Sequence, residues 1–442
     1  MVNDNTDRNT PAKNSTRRTG RTKAKNMLLH IHPRRIPEPN LQMTHTWGLG
    51  GAAVTLIFLQ LFTGLLLRFH YVATPSQAYD SIIEIQSGFV FGQLIRNVHH
   101  WSGMFLIVIA FLHLLRVFLT GAFLPPRHWN WMIGIALFTG VILSNFTGYL
   151  LPWDQLSYWA VTVSTGMLEY FPVIGHRLEL MIRGGADTGT AALLNFYSFH
   201  TSLFPVLLFA LMFIHFWKVR KAGGVILPRN VAADGAKPID TVPHLINREI
   251  VVAVALLAFV FLFSLFFDAP LREKANPAFS PNPAKSPWYF QGIQELIVHF
   301  HPFFAVFVIP VILYVGLVAL PFLKYTTNNE KTDFSMPVFG KIILWSAATA
   351  VVVTPVLILL DEYVFRLEEQ NTGMPLVISN GLFPFLILTG LTWLFIFVIK
   401  KKFSNKKIDL ILALFVLFTV SYMVLMLTGT FLRGEGMRLI FD

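Results

Sequence analysis

The stretch HHWSGMFLIVIAFLH at residues 99–113 decides the fold of this chain, together with HTSLFPVLLFALMFIH at residues 200–215. Each stretch begins and ends with a histidine, and nearly all the residues between are apolar. A helix of fourteen residues rises by about 21 Å and returns close to the same face. Two such helices side by side would therefore hold histidines opposite each other at two depths.

Paired imidazoles at two depths are typical of a site for two haems, each with a histidine on both sides of its iron. A single intramembrane histidine is just as often a polar residue bonded to a neighbouring backbone group. Four histidines in depth-matched pairs favour haem ligands, because unpaired imidazoles are costly in lipid. We expect an outer haem b between His99 and His200 and an inner haem b between His113 and His215.

The surrounding sequence is that of a membrane protein. Of its 442 residues, 54% are hydrophobic and only 13% are charged, far from the balance of a water-soluble domain. We therefore predict an all-α polytopic membrane protein, with a four-helix di-haem bundle followed by a second helical half. Nine segments are long and apolar enough to span a bilayer; they lie near residues 47–70, 98–120, 130–151, 196–219, 248–267, 300–323, 338–360, 381–400 and 408–431.

Basic residues predict the orientation of the chain. Residues 1–35 carry nine lysines and arginines against two acidic residues, and basic clusters recur at 218–221 and 400–407. Such an excess marks the cytoplasmic side, so we expect a cytoplasmic N-terminus and a place in the bacterial inner membrane. The same topology accounts for most of the net charge of +11, and we predict no nucleic-acid partner.

Composition also divides the chain. We expect a disordered tail at 1–30, a di-haem domain at 31–225, a polar linker at 226–247, a second helical domain at 248–400, and an additional membrane helix with its tail at 401–442. The chain contains no cysteine, which excludes disulfides, iron–sulfur ligation and thioether-attached haem.

Glycines repeat the fourteen-residue spacing of the first histidine pair. Close approach to a flat macrocycle favours a residue without a side chain, although small residues are equally common where membrane helices pack. Arg96 and Arg116 lie at helix ends, where a guanidinium group can pair with haem propionates or simply anchor the helix at the interface. The glycines concerned are Gly50 and Gly64 on the first span and Gly134 and Gly148 on the third.

Five stretches carry a resemblance to cytochrome b of the cytochrome bc family of quinol oxidoreductases, across roughly residues 30–400. They are LQLFTG (59–64), RNVHHWSGMFLIVIAFLHLLRVFLTG (96–121), FTGYLLPWDQLSYWAVTV (146–163), PVIG (172–175) and FYSFHTSLFPVLLFALMFIHF (196–216). The PWDQ and PVIG sequences are similar to those of the chloroplast and cyanobacterial branch. The resemblance implies a fused, full-length cytochrome b that oxidises quinol at the outer face and passes electrons across the membrane. The same process would contribute to proton translocation.

The resemblance also implies partners. A Rieske iron–sulfur protein and a cytochrome c-type subunit would carry the centres that this chain has no ligands to hold, and quinol and quinone would be its substrates. The family implies a homodimeric complex in the lipid bilayer. Arg220 lies five residues after His215 and is a candidate to face quinone or a haem propionate at the inner site.

Gly48 marks one departure from the photosynthetic branch. It occupies the place of the cysteine that anchors an extra haem c in that branch. We therefore expect no covalent haem c.

A second departure affects the outer quinol site. The family motif Pro-Glu-Trp-Tyr is replaced by Ser286-Pro287-Trp288-Tyr289, so the glutamate that accepts a proton from quinol is missing. Glu295 is our candidate replacement, although a glutamate here is also common at the start of a helix.

We expect residues of the two long outer loops to form an aromatic slot beside the outer haem. Its first side would be Tyr158 and Trp159 of the first outer loop. Its second side would be Pro287, Trp288 and Tyr289, with Glu295 nearby. An interfacial aromatic belt is the alternative reading of the two tryptophans.

Two other functions remain open from the sequence. One is a di-haem membrane anchor of a dehydrogenase or hydrogenase, although such anchors usually have fewer spans. The other is a haem-free transporter, which span count and broken helices alone support.

Overall fold

The computed structural model describes residues 32–227, 236–325, 336–365 and 373–440. Within these ranges nine helices are long and apolar enough to cross a membrane. The predicted all-α polytopic fold with nine spans is therefore confirmed. The tail predicted for residues 1–30 lies outside the described residues.

The first half of the chain contains four of the nine spans, and short helices form its first outer loop. Thr190–Lys221 carries the second histidine pair and is one continuous span. The elements are β1 (Arg35–Pro37), α1 (Leu49–Arg68), α2 (Ala78–Gly88), α3 (Gly92–Leu119), α4 (His128–Tyr149), α5 (Gln155–Gly166), α6 (Gly175–Arg183) and α7 (Thr190–Lys221).

The second half contains the other five spans and one short outer helix, α9. A 3-10 turn at Trp288–Phe290 leads directly into α9. The elements are β2 (Pro238–Asp240), α8 (Thr241–Phe266), α9 (Gln291–His299), α10 (Phe303–Phe322), α11 (Val338–Phe365), α12 (Val377–Lys402) and α13 (Lys407–Phe431).

The predicted linker at 226–247 is partly ordered secondary structure. Residues 238–240 form β2, which pairs antiparallel with β1, and α8 begins at Thr241, seven residues before the predicted start of its span. Arg35 donates to Asp240 at 3.0 Å across this pair. A contact between residues so far apart along the chain has no signal in the polar composition of the segment.

A π-helical turn at Phe199–Leu203 explains why the second histidine spacing is fifteen residues and the first fourteen. A π turn accommodates one residue more than an α turn. The extra residue in α7 is taken up at His200 itself, so His200 and His215 keep the same face of the helix. Such turns are frequent at functional sites.

The two halves share a hydrophobic core toward one end of the bundle. Phe118 of α3 stacks on Phe415 of α13, with ring centroids 3.8 Å apart, and Trp131 of α4 donates to the carbonyl of Leu317 in α10 at 2.8 Å. The additional helix α13 therefore packs inside the bundle, along α11 and against α9.

Candidate haem and quinol sites

The structure brings the four predicted histidines together in the predicted pairs. His99 faces His200 with ring centroids 6.0 Å apart, and His113 faces His215 at 6.4 Å. Imidazole–metal bonds of about 2 Å on either side of one iron place two ring centres about 6 Å apart. The spacing of both pairs therefore fits one iron between each pair.

Neighbouring helices orient the outer pair. The Nδ1 of His99 lies 2.9 Å from the Thr63 hydroxyl of α1. That hydroxyl donates its proton to the carbonyl of Leu59, so it accepts from His99. The Nδ1 of His200 donates to the carbonyl of Ser144 in α4 at 2.8 Å. These bonds leave Nε2 of each ring for a metal, as in other histidine-ligated sites.

Each predicted glycine lies against one of the histidines. A Cβ atom at Gly148 would lie 2.5 Å from Cε1 of His200, and one at Gly64 would lie 3.0 Å from Cε1 of His99. The inner pair is looser: the corresponding distances are 3.5 Å from Gly50 to His113 and 3.7 Å from Gly134 to His215. The role of these glycines in making room for haem stays a prediction.

The inner histidines line a cavity of about 260 Å³. Its wall also includes Gly50, Gly134 and Arg116, together with Asn130, whose buried Oδ1 has no hydrogen-bond partner within the described part of the chain. A buried polar atom without a partner is rare in a folded protein. An unpaired acceptor beside two imidazoles fits a cavity that receives a polar cofactor or substrate.

The predicted arginines have different surroundings. Both terminal nitrogens of Arg96 donate to loop carbonyls, of Ala269 at 2.8 Å and Pro270 at 2.7 Å, so Arg96 ties the second outer loop to α3. Arg116 contacts the backbone carbonyl and ring of His45, each at 3.1 Å. Pairing of Arg96, Arg116 or Arg220 with propionates or quinone stays a prediction.

Gly48, where no covalent haem is expected, has a positive φ of 62°, which side chains rarely adopt. A Cβ atom there would lie 3.0 Å from Val252 of α8. A larger residue at this position would thus be strained in its backbone and crowded by α8.

The residues of the predicted aromatic slot fall into two clusters. Trp288 and Tyr289 belong to one hydrophobic cluster with Leu106 and with Val98, the residue before His99 in α3. Tyr158 and Trp159 pack with Trp153 and Leu193 in the first outer loop.

Phe146 of α4 joins the two clusters. Its ring contacts Phe196 on one side at 5.9 Å and Phe290 on the other at 5.2 Å. The single slot stays a prediction. Phe146, which sequence reasoning missed, would form part of the wall of that slot.

Tyr289 is the most exceptional residue of this region. Its side chain is buried, and its hydroxyl has no hydrogen-bond partner among the residues that the structure describes. Burial raises the pKa of Tyr289, with a further contribution from Tyr149. The hydroxyl therefore stays protonated, as a donor for a polar group that enters beside it.

Glu295 lies on α9 with no exposed surface. Its carboxylate is paired with Arg433 and lies 3.3 Å from Nε2 of His299. Burial alone would raise the pKa of Glu295, but the hydrogen bonds from His299 and Arg433 and their charges outweigh burial and lower it. Sequence reasoning missed Arg433, which lies 138 residues away along the chain.

Comparison with known proteins places the chain in a family. Residues 36–223 match the family described as Cytochrome b/b6/petB. Cytochrome b6 of Synechococcus elongatus is 40% identical over 175 residues, which are 40% of this chain and 81% of that protein. Cytochrome b6 of Mastigocladus laminosus shows the same identity and coverage.

A solved structure extends the likeness to the second half. A chain of a hyperthermophilic respiratory Complex III covers 93% of this chain and 97% of its own length, with a TM-score of 0.65 and 23% identity, which shows a shared fold.

The chain is therefore an integral membrane protein of electron transport. The chain belongs to the cytochrome b/b6 family, which confirms the resemblance stated from its motifs and implies that it binds haem b.

Proposed function

We propose that this chain is the cytochrome b subunit of a bc-type quinol oxidoreductase in a bacterial inner membrane, with its N-terminus in the cytoplasm. The main support for this function is the geometry of the two histidine pairs, whose ring centroids lie 6.0 and 6.4 Å apart on the same two helices. Paired rings at two depths suit electron transfer across the bilayer better than transport of a solute.

His99 and His200 would hold the outer haem b, and His113 and His215 the inner one, where each supplies reversible one-electron transfer when bound. Thr63 and Ser144 fix the outer imidazole rings, and Gly64 and Gly148 would leave room at the outer level. Because two histidines would hold each haem, quinol would bind elsewhere than at the metal.

The outer quinol site would lie where the second outer loop meets α3. The protonated hydroxyl of Tyr289 would donate to a quinol oxygen, while Pro287, Trp288, Tyr158 and Trp159 would provide apolar walls. Quinol oxidation releases two electrons and two protons. Glu295, held ionised by Arg433, is the candidate to accept one proton, although pairing makes it a weaker base than a free carboxylate.

The electrons require partners. The sequence has no cysteine to hold an iron–sulfur cluster, so one electron of each quinol would pass to a Rieske protein and on to a cytochrome c-type subunit. The second would cross the membrane through this chain and reduce quinone near the inner cavity. A homodimeric assembly is part of the same proposal.

A haem assay coupled to a redox titration of the purified complex tests this function. We expect two b haems per chain, with separable potentials, that become reduced when quinol is added. His200→Ala should lose one haem, whereas His100→Gln, beside a ligand but in neither pair, should keep both.

Each alternative function predicts a different result. Absence of haem would favour a transporter. Two haems that exchange electrons with quinone but never with an iron–sulfur partner would favour a dehydrogenase anchor.

A further inference from the structure

The tail that follows α13 returns to the second outer loop. The Tyr422 hydroxyl donates to the carbonyl of Tyr289 at 2.7 Å, and Lys285 donates to the carbonyl of Thr430 at 2.9 Å. The backbone N–H of Gly436 donates to Asn282 at 2.6 Å. The segment that carries Pro287, Trp288 and Tyr289 is thus bonded to the last helix and its tail at three points, Asn282, Lys285 and Tyr289.

Close packing fixes α9 and α13 in one register. A Cβ atom at Gly292 would lie 2.6 Å from the ring of Tyr422, and one at Gly429 would lie 2.8 Å from Gln291. Neither glycine leaves room for a side chain. A shift of α13 would therefore move α9 and the turn before it.

A buried ion cluster closes this interface. Arg433 and Glu295 have no exposed side-chain surface. Nε of Arg433 donates to both carboxylate oxygens at 3.1 and 3.0 Å, and Nη2 donates to Oε1 at 2.5 Å. Nη1 donates to Glu362 of α11 at 2.6 Å and to the carbonyl of Met437 at 2.8 Å. Arg433 therefore links α9, α11 and the C-terminal tail.

The charge balance of this ion cluster depends most on Arg433. The cluster contains three carboxylates, Glu295, Asp361 and Glu362, which face Arg433 and His299. His299 bonds Asp361 through Nδ1 at 2.6 Å, and its Nε2 lies 3.3 Å from Glu295 and 3.1 Å from Arg433. Removing the arginine would leave the fully buried Glu295 and its two neighbouring carboxylates with His299 alone to offset their charge, which is strongly unfavourable.

We propose that Arg433 is a positioning residue for quinol oxidation. It touches no part of the slot; it acts through Glu295, which fixes the rotation of α9 and so the direction of Trp288 and Tyr289. The inference rests on the proposed function, because it assigns the C-terminal tail a role in that same outer site.

The test uses the whole purified complex and a pH series of quinol-driven haem b reduction, with KM and kcat separated. For Arg433→Gln we expect kcat/KM to fall about tenfold or more, mainly through a higher KM. Spectra and content of both haems should be unchanged. The remaining activity should need a higher pH, because loss of Arg433 raises the pKa of Glu295 and Glu295 must be ionised to accept a proton.

A compensating double variant distinguishes a positioning role of Arg433 from general disruption of the fold. The double variant Arg433→Gln/Glu295→Gln removes both charges and should return KM most of the way to the wild-type value, while its kcat stays as low as that of Glu295→Gln. Arg433→Lys should return KM part of the way. The matched control is Arg438→Gln, an exposed arginine of the same tail, which should behave as wild type.

Several results would overturn the inference. Arg433→Gln with the wild-type KM and pH profile would do so, and so would a double variant whose KM is no lower than that of the single variant. If Arg433→Gln does not accumulate, a double variant that fails to accumulate as well would also overturn it, because the tail would then serve assembly alone. Wild-type complex whose haems quinol never reduces would instead refute the proposed function itself.

Discussion

An alanine at Gly148 should remove the outer haem and leave the inner one in place. The new methyl carbon would lie 2.5 Å from Cε1, 2.9 Å from Nδ1 and 3.0 Å from Nε2 of His200. An ordinary carbon contact needs about 3.5 Å, so the ring would have to move by about 1 Å. The ring cannot do so while it keeps its 2.8 Å bond to the carbonyl of Ser144.

The magnitude follows from the cost of overpacking. One extra methyl group in a closely packed site costs about 1–3 kcal/mol, which corresponds to a loss of about 5- to 150-fold in haem affinity. The inner site provides the matched comparison. An alanine at Gly134 would place its methyl carbon 3.7 Å from His215, which is an ordinary contact, and should cost little.

The assay is haem content per chain, with difference spectra that separate the two b haems. We expect Gly148→Ala to retain one haem and Gly134→Ala to retain two. If both variants keep two haems, or both lose the inner haem, the argument from glycine clearance is refuted.

Three further predictions follow from the described contacts. Glu295→Gln should slow quinol oxidation while both haems stay bound; unchanged turnover would rule Glu295 out as proton acceptor. Burial lowers the pKa of His299, but the bonds of its ring to Asp361 and Glu295 outweigh burial and raise it. Protonated His299 therefore stabilises the folded protein fully below about pH 6.5. This stabilisation is lost as the pH rises through the pKa of the folded state. Thermal unfolding of the wild type should therefore lose more between neutral and alkaline pH than that of His299→Gln, and equal losses would contradict this assignment. Phe118→Ala removes a ring 3% exposed that stacks on Phe415 and should cost about 3–5 kcal/mol in the free energy of unfolding, whereas Phe431→Ala, 69% exposed, should cost far less.

Part of the fold and site could be predicted because it depends on short-range pattern. Span length is a local property of apolar composition, and the histidine and glycine spacings are read along single helices. That information was enough for the nine spans and for which histidines face each other. It was also enough for the family resemblance, since the matching motifs are continuous stretches of sequence.

Contacts between distant segments had no such signal. Thr63 and Ser144 orient imidazoles that belong to other helices, and Phe146 joins two aromatic clusters from different loops. Glu295 was singled out by position, but its partner Arg433 belongs to a tail that had no assignment.

The sequence by itself determined the membrane class, the nine spans and the spacing of the histidines, because hydrophobic length and helical period are properties of neighbouring residues. Only the tertiary structure decided how close the paired rings lie, at 6.0 and 6.4 Å between centroids, how a π turn absorbs the fifteenth residue, and which charge neutralises Glu295. These depend on the packing of helices far apart in the chain, where the cost of burying a charge or an imidazole selects its partner.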